Sequence, residues 1–318
     1  MTAYLIRRVV LIIPTLFLAS LMVFFIIRLI PGSIIDIMLS QHDVSVSMEQ
    51  DRAMIESALG LDVPVHVQYG RWMGKIVFHG DLGKSLWSNT PVADDIIAKL
   101  PVTFELGLLA LIVGLLIAFP IGIFSAIRQD TIGDYIGRSF AILCVAVPGF
   151  WLGTMVIIYG AIWFNWSPPI QLIPFTENPV ANLKQFIVPA IVMGMALSGV
   201  TMRMTRTMML EVLRQDYIRT AWAKGLRERV VVARHALKNS FIPVVTLIGL
   251  QLPVLIGGTV IIEQIFALPG MGRLIVSAVF ERDYPIITGT MLFFATAVLL
   301  INLFVDLTYS WLDPRVRY

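Results

Sequence analysis

The chain has 318 residues, of which 57% are hydrophobic and 14% charged, and its mean hydropathy is +0.82. Soluble domains carry roughly 25% charged residues, so a water-soluble globule is excluded, and a formal net charge of +3 gives no ground for nucleic-acid binding. The single cysteine, Cys144, excludes an internal disulfide and a thiolate metal cluster. The missing charge is concentrated in apolar runs of about 20 residues, the length that crosses a bilayer as a helix.

Six membrane spans are expected in chain order: Val9–Ile30, Thr103–Ile127, Phe140–Phe164, Phe186–Met202, Phe241–Glu263 and Ile286–Trp311. Each must be helical, because hydrocarbon offers no partner to an open backbone amide or carbonyl. The fourth is short, and Pro189 stands near its start. Arg7 and Arg8 precede the first span as they would in a signal peptide. That run is too long, however, and ends at Ile30-Pro31-Gly32 rather than at a small-residue cleavage site, so an uncleaved anchor is expected.

Residues 31–100 read as an extracytoplasmic helical insertion. Ser47-Met48-Glu49-Gln50 has the form of a capping box ahead of the apolar Met54, Ile55, Ala58 and Leu59. Pro64 can open a second helix with Val65, Tyr69, Trp72 and Ile76 on one side and Gly80 at its end. Thr90-Pro91 fits the start of a third, reaching Leu100. Within this insertion Gly80-Asp81-Leu82-Gly83-Lys84-Ser85 imitates a phosphate-binding loop, but Phe78 stands where that motif needs its first glycine. A turn is expected instead.

With the N-terminus inside, fifteen basic residues fall on the cytoplasmic side and eight outside, which places both termini in the cytosol by the positive-inside rule. The domain organisation expected is a cytosolic end and first span (1–30), the insertion (31–100), a five-helix core (101–312) and a cytosolic tail (313–318). Within the core, 204–240 forms a cytoplasmic hairpin. After the fifth span, Ala267-Leu268-Pro269-Gly270-Met271-Gly272-Arg273 is rich in turn formers. The apolar Leu274, Ile275 and Val279 beyond it point to a re-entrant or surface-lying helix.

No catalytic or metal-binding constellation emerges. The histidines at 42, 66, 79 and 235 all lie outside the spans, so an intramembrane hydrolase has no buried base. Glu105, Glu263 and Asp306 stand near span ends, where a carboxylate is either a structural group or part of a solute pathway. Carboxylates at mid-depth, which an ion-coupled secondary transporter would need, are missing. Pro120, Pro148, Pro189 and Pro253 can kink their spans.

Between the fourth and fifth spans, Arg203 to Lys238 holds nine basic residues against Glu211, Asp216 and Glu228, a net of +6. Leu210, Leu213, Tyr217 and Ala221 recur at helical spacing on a continuation of the fourth span. Gly225 then breaks the pattern. A second apolar run, Val230, Val231, Ala233 and Leu237, leads to Pro243 and the fifth span. Two helices meeting at a glycine corner, tied to the membrane at both ends, can transmit a push.

In this region the chain resembles the integral membrane permeases of ATP-binding-cassette (ABC) importers. Their EAA loop reads Glu-Ala-Ala, three residues, Gly, nine residues, Ile-x-Leu-Pro. Here Arg219-Thr220-Ala221 and His235-Ala236-Leu237-Lys238 occupy the two ends, and Ala221, Gly225 and Leu237 match. The form YIRTAWAKGL…RHALKN is similar to the dipeptide, oligopeptide and nickel branch. LGLDVPVHVQY at 59–69, GDLGKS at 80–85, PVTFELGL at 101–108, EQIFALPGMGRL at 263–274, RDYPII at 282–287 and LDPRVRY at 312–318 agree with that branch too.

The resemblance implies an all-α polytopic protein with the type I importer permease fold, in a bacterial or archaeal cell (inner) membrane. It implies a peptide-transport permease that is not an enzyme, pairs with a second homologous permease, and works with two cytosolic ATP-binding subunits and an extracytoplasmic solute-binding protein. Surrounding lipid is its other contact. ATP and Mg belong to the ATPase partners; no cofactor is expected in this chain. The coupling contact would comprise Arg219, Thr220, Ala221, Lys224 and Gly225, with Leu237 behind. The same family also serves nickel chelates, glutathione and oligosaccharides.

Overall fold

A computed structural model describes residues 2–28, 62–169 and 171–312. Among them the regular structure is helical apart from an isolated bridge between Lys84 and Pro91. The helices are α1 (Thr2–Arg28), α2 (Val65–His79), α3 (Val92–Ile127), α4 (Ile132–Ala146), α5 (Gly149–Phe164), α6 (Pro179–Leu213), α7 (Asp216–Ala223), α8 (Glu228–Ile265), α9 (Met271–Glu281) and α10 (Tyr284–Leu312). Within α1, α3, α6, α8 and α10 lie five stretches long and apolar enough to cross a membrane, and the bent pair α4–α5 passes the same test when its two helices are taken together.

Three expected boundaries are corrected. The third span is not one rod over Phe140–Phe164: it begins at Ile132 and turns by 95° between α4 and α5. Pro148 brings no N–H and disfavours the helical conformation at the residue before it, and Val147 is accordingly extended (φ −82, ψ 120). The helix expected to end at Leu100 instead runs on through Pro101 and Pro120 as the 36-residue α3. A proline costs a helix about 3 kcal/mol, but unwinding in hydrocarbon would open more backbone groups than the proline itself leaves unpaired. The fourth span extends at both ends. It starts where Asn178 accepts the Ala181 N–H and Pro179 takes the first helical position.

The chain divides into two compact units. One holds Lys99–Arg273 with residues up to 7 and from 298; the other holds Arg8–Ala98 and Leu274–Ala297. In the first, α6 is the central helix: 67% of its spanning window is buried, against 28% or less in the others. Small residues let its neighbours come close. A Cβ on Gly194 would stand 2.6 Å from the Ala110 carbonyl oxygen, and one on Gly199 would stand 2.7 Å from that of Ala141. Backbone meets backbone there, as at close membrane-helix crossings. Gly194→Val should therefore destabilise the bundle by about 1–3 kcal/mol. Gly107→Ala, with nothing within 4 Å of the added carbon, should stay within about 0.5 kcal/mol. Thermal unfolding in detergent measures both, and equal midpoints for the two variants would contradict the close crossing.

Two apolar clusters close the first unit. Val102, Leu106, Phe186, Ala190, Met193, Ile262 and Phe266 pack α3, α6 and α8 at one end. Ala126, Met209, Ile218, Ala221, Val231, Val232 and Ala236 form the second at the hairpin end. In the second unit α2 opens at Pro64 and stops at Gly80 (φ 63), as its sequence requires. Tyr69 and Trp72 pack on Phe24 of α1, and the Tyr69 and Ser20 hydroxyls lie 2.8 Å apart. The helix expected after Ser47 lies outside the described residues.

Candidate functional site

The hairpin between α6 and α8 is built from three turns of different kind. α6 does not run on through Tyr217 but ends at Leu213; Gln215 is extended (φ −71, ψ 148) and restarts the chain as α7. After Ala223 the chain reverses at Gly225, whose φ of +74 lies in the left-handed region that favours glycine. The Gly225 N–H donates to the Trp222 carbonyl (2.9 Å), and the Leu226 N–H reaches back to that of Ala221 (3.4 Å). α8 then passes through a π-helical stretch, Val231–Ala236.

These turns decide which side chains face inward. The expected stripe through Tyr217 is corrected: Tyr217 is exposed, its hydroxyl accepting from Asn239 Nδ2 (2.8 Å), while Ile218 and Ala221 are buried against Met209. Likewise Val230 and Ala233 point outward. Val231, Val232 and Ala236 pack inward instead, because a wider i to i+5 turn holds more residues than an α-helical one and spaces the buried positions further apart. Such π stretches frequently mark functional sites.

Of the residues expected to couple, Arg219, Thr220, Lys224 and Gly225 lie together on the exposed knuckle. Ala221 is buried beneath it, and Leu237 is half-buried against the same cluster. Arg219 meets Asp216 at 3.3 Å, but both side chains are largely exposed, so this pair adds little rigidity. The Thr220 hydroxyl donates to the Asp216 carbonyl (3.0 Å). Trp222, which stands where the family resemblance would lead one to expect an arginine, is also exposed on the knuckle. The knuckle is thus a small, positively charged projection with an apolar base.

Below it lies an ion pair that pattern reading does not find. Asp134 is fully buried at the start of α4. Arg206 of α6 clasps it with both arms, Nε to Oδ1 at 2.8 Å and Nη2 to Oδ2 at 2.7 Å. The Asp130 N–H donates to the same carboxylate at 3.0 Å, and Arg138, one turn along α4, stands 3.6 Å away. The only local signal was Thr131-x-x-Asp134, a helix start in which the Thr131 hydroxyl accepts the Asp134 N–H. Its partner is 72 residues distant.

The carboxylates near the span ends have separate settings. Glu263 is fully buried. Thr103 Oγ1 donates to its Oε1 (2.6 Å) and the Arg273 N–H to its Oε2 (3.0 Å), while the Met271 N–H donates to Thr103 Oγ1 (2.8 Å). Glu263 therefore caps the first turn of α9 from a neighbouring helix. Glu105 is half-buried on α3, where Asn182 Nδ2 donates to it at 3.3 Å. Its other oxygen and Asn182 Oδ1 are buried without a hydrogen-bond partner among the described residues. Asp306 is half-buried on α10. In the second unit the GDLGKS segment is a turn, as expected: the Ser85 hydroxyl and the Leu86 N–H both donate to Asp283 (2.5 and 3.1 Å), which leaves neither free to cradle a phosphate. No group of three or more His, Cys, Asp or Glu side chains among the described residues is placed to hold a metal ion.

Above the buried ion pair, the bend between α4 and α5 opens an apolar cleft of about 410 Å³ walled by α6 and α8. Val145, Gly149 and Phe150 line it from the bend, and Leu197, Val254 and Ile261 from the long helices. Its only amide side chain is Gln251, which donates to Thr201 Oγ1 (3.2 Å).

Residues 118–318 match the family described as Binding-protein-dependent transport system inner membrane component, and residues 1–107 match its companion, Binding-prot-dependent transport system membrane comp, N-term. The chain belongs to this family of transport permeases. It is 40% identical over 338 residues to the dipeptide transport system permease protein DppB of Alkalihalophilus pseudofirmus, covering all of both chains. Over 323 residues it is 39% identical to the oligopeptide transport system permease protein AppB of Bacillus subtilis, again over the full length of each. A solved structure of the MetNI methionine ABC transporter in an inward-facing conformation aligns with a TM-score of 0.57 at 13% identity, over 69% of this chain and 96% of that one. The permease thus has the all-α type I importer fold expected for it, and it is an integral component of the inner membrane.

Proposed function

We propose that this permease forms half of a pathway that imports di- or oligopeptides, driven by ATP hydrolysis in separate subunits seated against the Arg219–Gly225 knuckle. The shape of the hairpin is the observation that carries the reading. Its exposed, charged tip stands on a packed apolar base, and its ends continue into α6 and α8, two walls of the cleft. A push at the tip therefore reaches the cleft without covalent chemistry in this chain, and interfaces packed in this way switch between discrete arrangements. Peptides are favoured as the solute because relatives at about 40% identity over the whole chain carry peptide-transport names.

In this reading ATP and Mg are held by the ATPase partners, a second, homologous permease completes the pathway, and a solute-binding protein delivers cargo from outside. The hairpin end and both termini face the cytosol, in keeping with the fifteen-to-eight bias of basic residues. Residues 101–312 are the core, with 204–240 as the coupling hairpin; 1–30 are the anchor, 31–100 the extracytoplasmic insertion and 313–318 the tail. The chain itself performs no enzymatic step. The test is co-expression with cognate ATPases, a second permease and a binding protein, followed by uptake of a labelled dipeptide into vesicles. Uptake should require ATP and every partner. Transport by the purified chain alone, or by the complex without ATP, would rule the reading out.

A further inference from the structure

We propose that Asp134 is a two-position latch, exchanging its carboxylate between Arg206 on α6 and Arg138 on its own helix as the transporter cycles, so that movement of the hairpin is passed to the cleft. The inference rests on the coupling role proposed for the hairpin and concerns how the movement leaves it.

Three observations carry it. First, the carboxylate is fully buried and faces two guanidinium groups at unequal range: Arg206 holds it bidentately at 2.7 and 2.8 Å, and Arg138 waits at 3.6 Å. A fork-to-carboxylate grip is directional and strong, and only one such grip fits at a time. Second, Arg138 is already cocked. Its guanidinium lies 4.4 Å from the ring centre of Tyr135, and its Nη2 is buried with no hydrogen-bond partner among the described residues. A buried donor in that state is costly, and turning to Asp134 would satisfy it. Third, the two elements joined are the ones that need joining. Arg206 is two turns before the end of α6, where the hairpin begins. Asp134 begins α4, whose far end bends at Val147-Pro148 into the cleft wall.

Apart from this ion pair the α4–α6 contact is apolar: Met202 packs with Ala141 and Phe140, and a Cβ on Gly199 would meet the Ala141 carbonyl at 2.7 Å and Val145 Cγ2 at 2.8 Å. With Arg206 engaged, a shift of α6 carries α4 and the bend with it. With Arg138 engaged, the carboxylate is satisfied within α4, and α6 slides free. Asp134 and the two arginines are positioning residues, acting through the helices they hold.

The discriminating variant is Arg138→Gln in the assembled importer, reconstituted with its partners and assayed for ATP hydrolysis and peptide uptake together. In the arrangement described, Arg138 stands within ion-pair range but makes no hydrogen bond to the carboxylate, so a merely static role predicts at most a small loss of stability and unchanged uptake per ATP. The latch predicts ATP hydrolysis within about twofold of wild type and peptide uptake per ATP lowered about tenfold, since each tenfold corresponds to 1.36 kcal/mol of coupling. Arg206→Lys, which keeps the charge but loses the fork, should fall between the two. Wild-type uptake per ATP in Arg138→Gln overturns the latch. Gly225→Val, run in parallel, separates the two ideas: if it uncouples while Arg138→Gln does not, the latch alone fails, and if it transports normally the hairpin reading fails first.

Discussion

Gly225→Val is expected to leave the protein inserted and helical while lowering ATP-driven uptake by about tenfold or more. The cause is conformational. Gly225 has φ +74, and an L-residue in that region costs roughly 1–2 kcal/mol, more when β-branched. Crowding is not the reason, since a Cβ there meets nothing within 4 Å. The valine variant therefore relieves strain by re-forming the turn, which shifts the knuckle relative to Ile218 and Ala221 beneath it. Gly225→Pro should be worse, because it also removes the N–H that donates to the Trp222 carbonyl. Gly225→Asn, which tolerates the left-handed conformation, should transport nearly as well as wild type. Paired measurements of uptake and ATP hydrolysis decide the matter. Normal solute-stimulated uptake by the valine variant would remove the mechanical role of this corner.

Glu263→Leu is expected to destabilise the fold by about 2–6 kcal/mol, because the Thr103 hydroxyl and the Arg273 N–H each lose their acceptor at about 1–3 kcal/mol. The first turn of any helix carries N–H groups without intrahelical partners. For α9 they are supplied from outside: the Arg273 N–H is accepted by Glu263, and that of Met271 by Thr103, whose hydroxyl passes on to Glu263. A carboxylate at a helix N-terminus also suits the helix dipole. The glycines of the loop make room for it. A Cβ on Gly270 would come within 2.4 Å of the Glu263 carboxyl carbon, and one on Gly272 within 2.4 Å of Val260 Cα. Gly272→Ala should therefore damage the protein too, because backbone cannot swing aside. Glu263→Gln, keeping one acceptor, should be milder than Glu263→Leu. Folded yield and thermal midpoint in detergent report all three, and a leucine variant as stable as wild type would show that the network contributes nothing. The role drawn for Glu263 is structural, one of the two readings its position near a span end left open.

Spans, turn formers and the hairpin were legible because each depends on neighbours within a few residues. Hydropathy over about 20 residues identifies a crossing whatever the helix packs against. Pro64 and Gly80 bound α2 by local backbone rules, and Gly225 marks a corner because its left-handed conformation favours glycine. Even the false phosphate loop was recognisable by the residue at position 78. The Ala221, Gly225 and Leu237 spacing placed the knuckle, and the stretches that agree along the rest of the chain said which family it resembles.

What the sequence by itself determined was therefore the apolar spans, several of the turns, and the segment proposed to meet a partner. The tertiary structure decided the faces and the pairings. It set Tyr217 outside and Ile218 inside, since the end of α6 at Leu213 and the π stretch at Val231–Ala236 both shift the phase of the buried side. It turned the proline at 148 from a possible kink into a 95° bend beside a cleft. It joined Asp134 to Arg206 across 72 residues and Thr103 to Glu263 across 160. The physical reason is that a helix forms from contacts three and four residues apart, whereas a buried charge is satisfied by whatever group the fold brings to it.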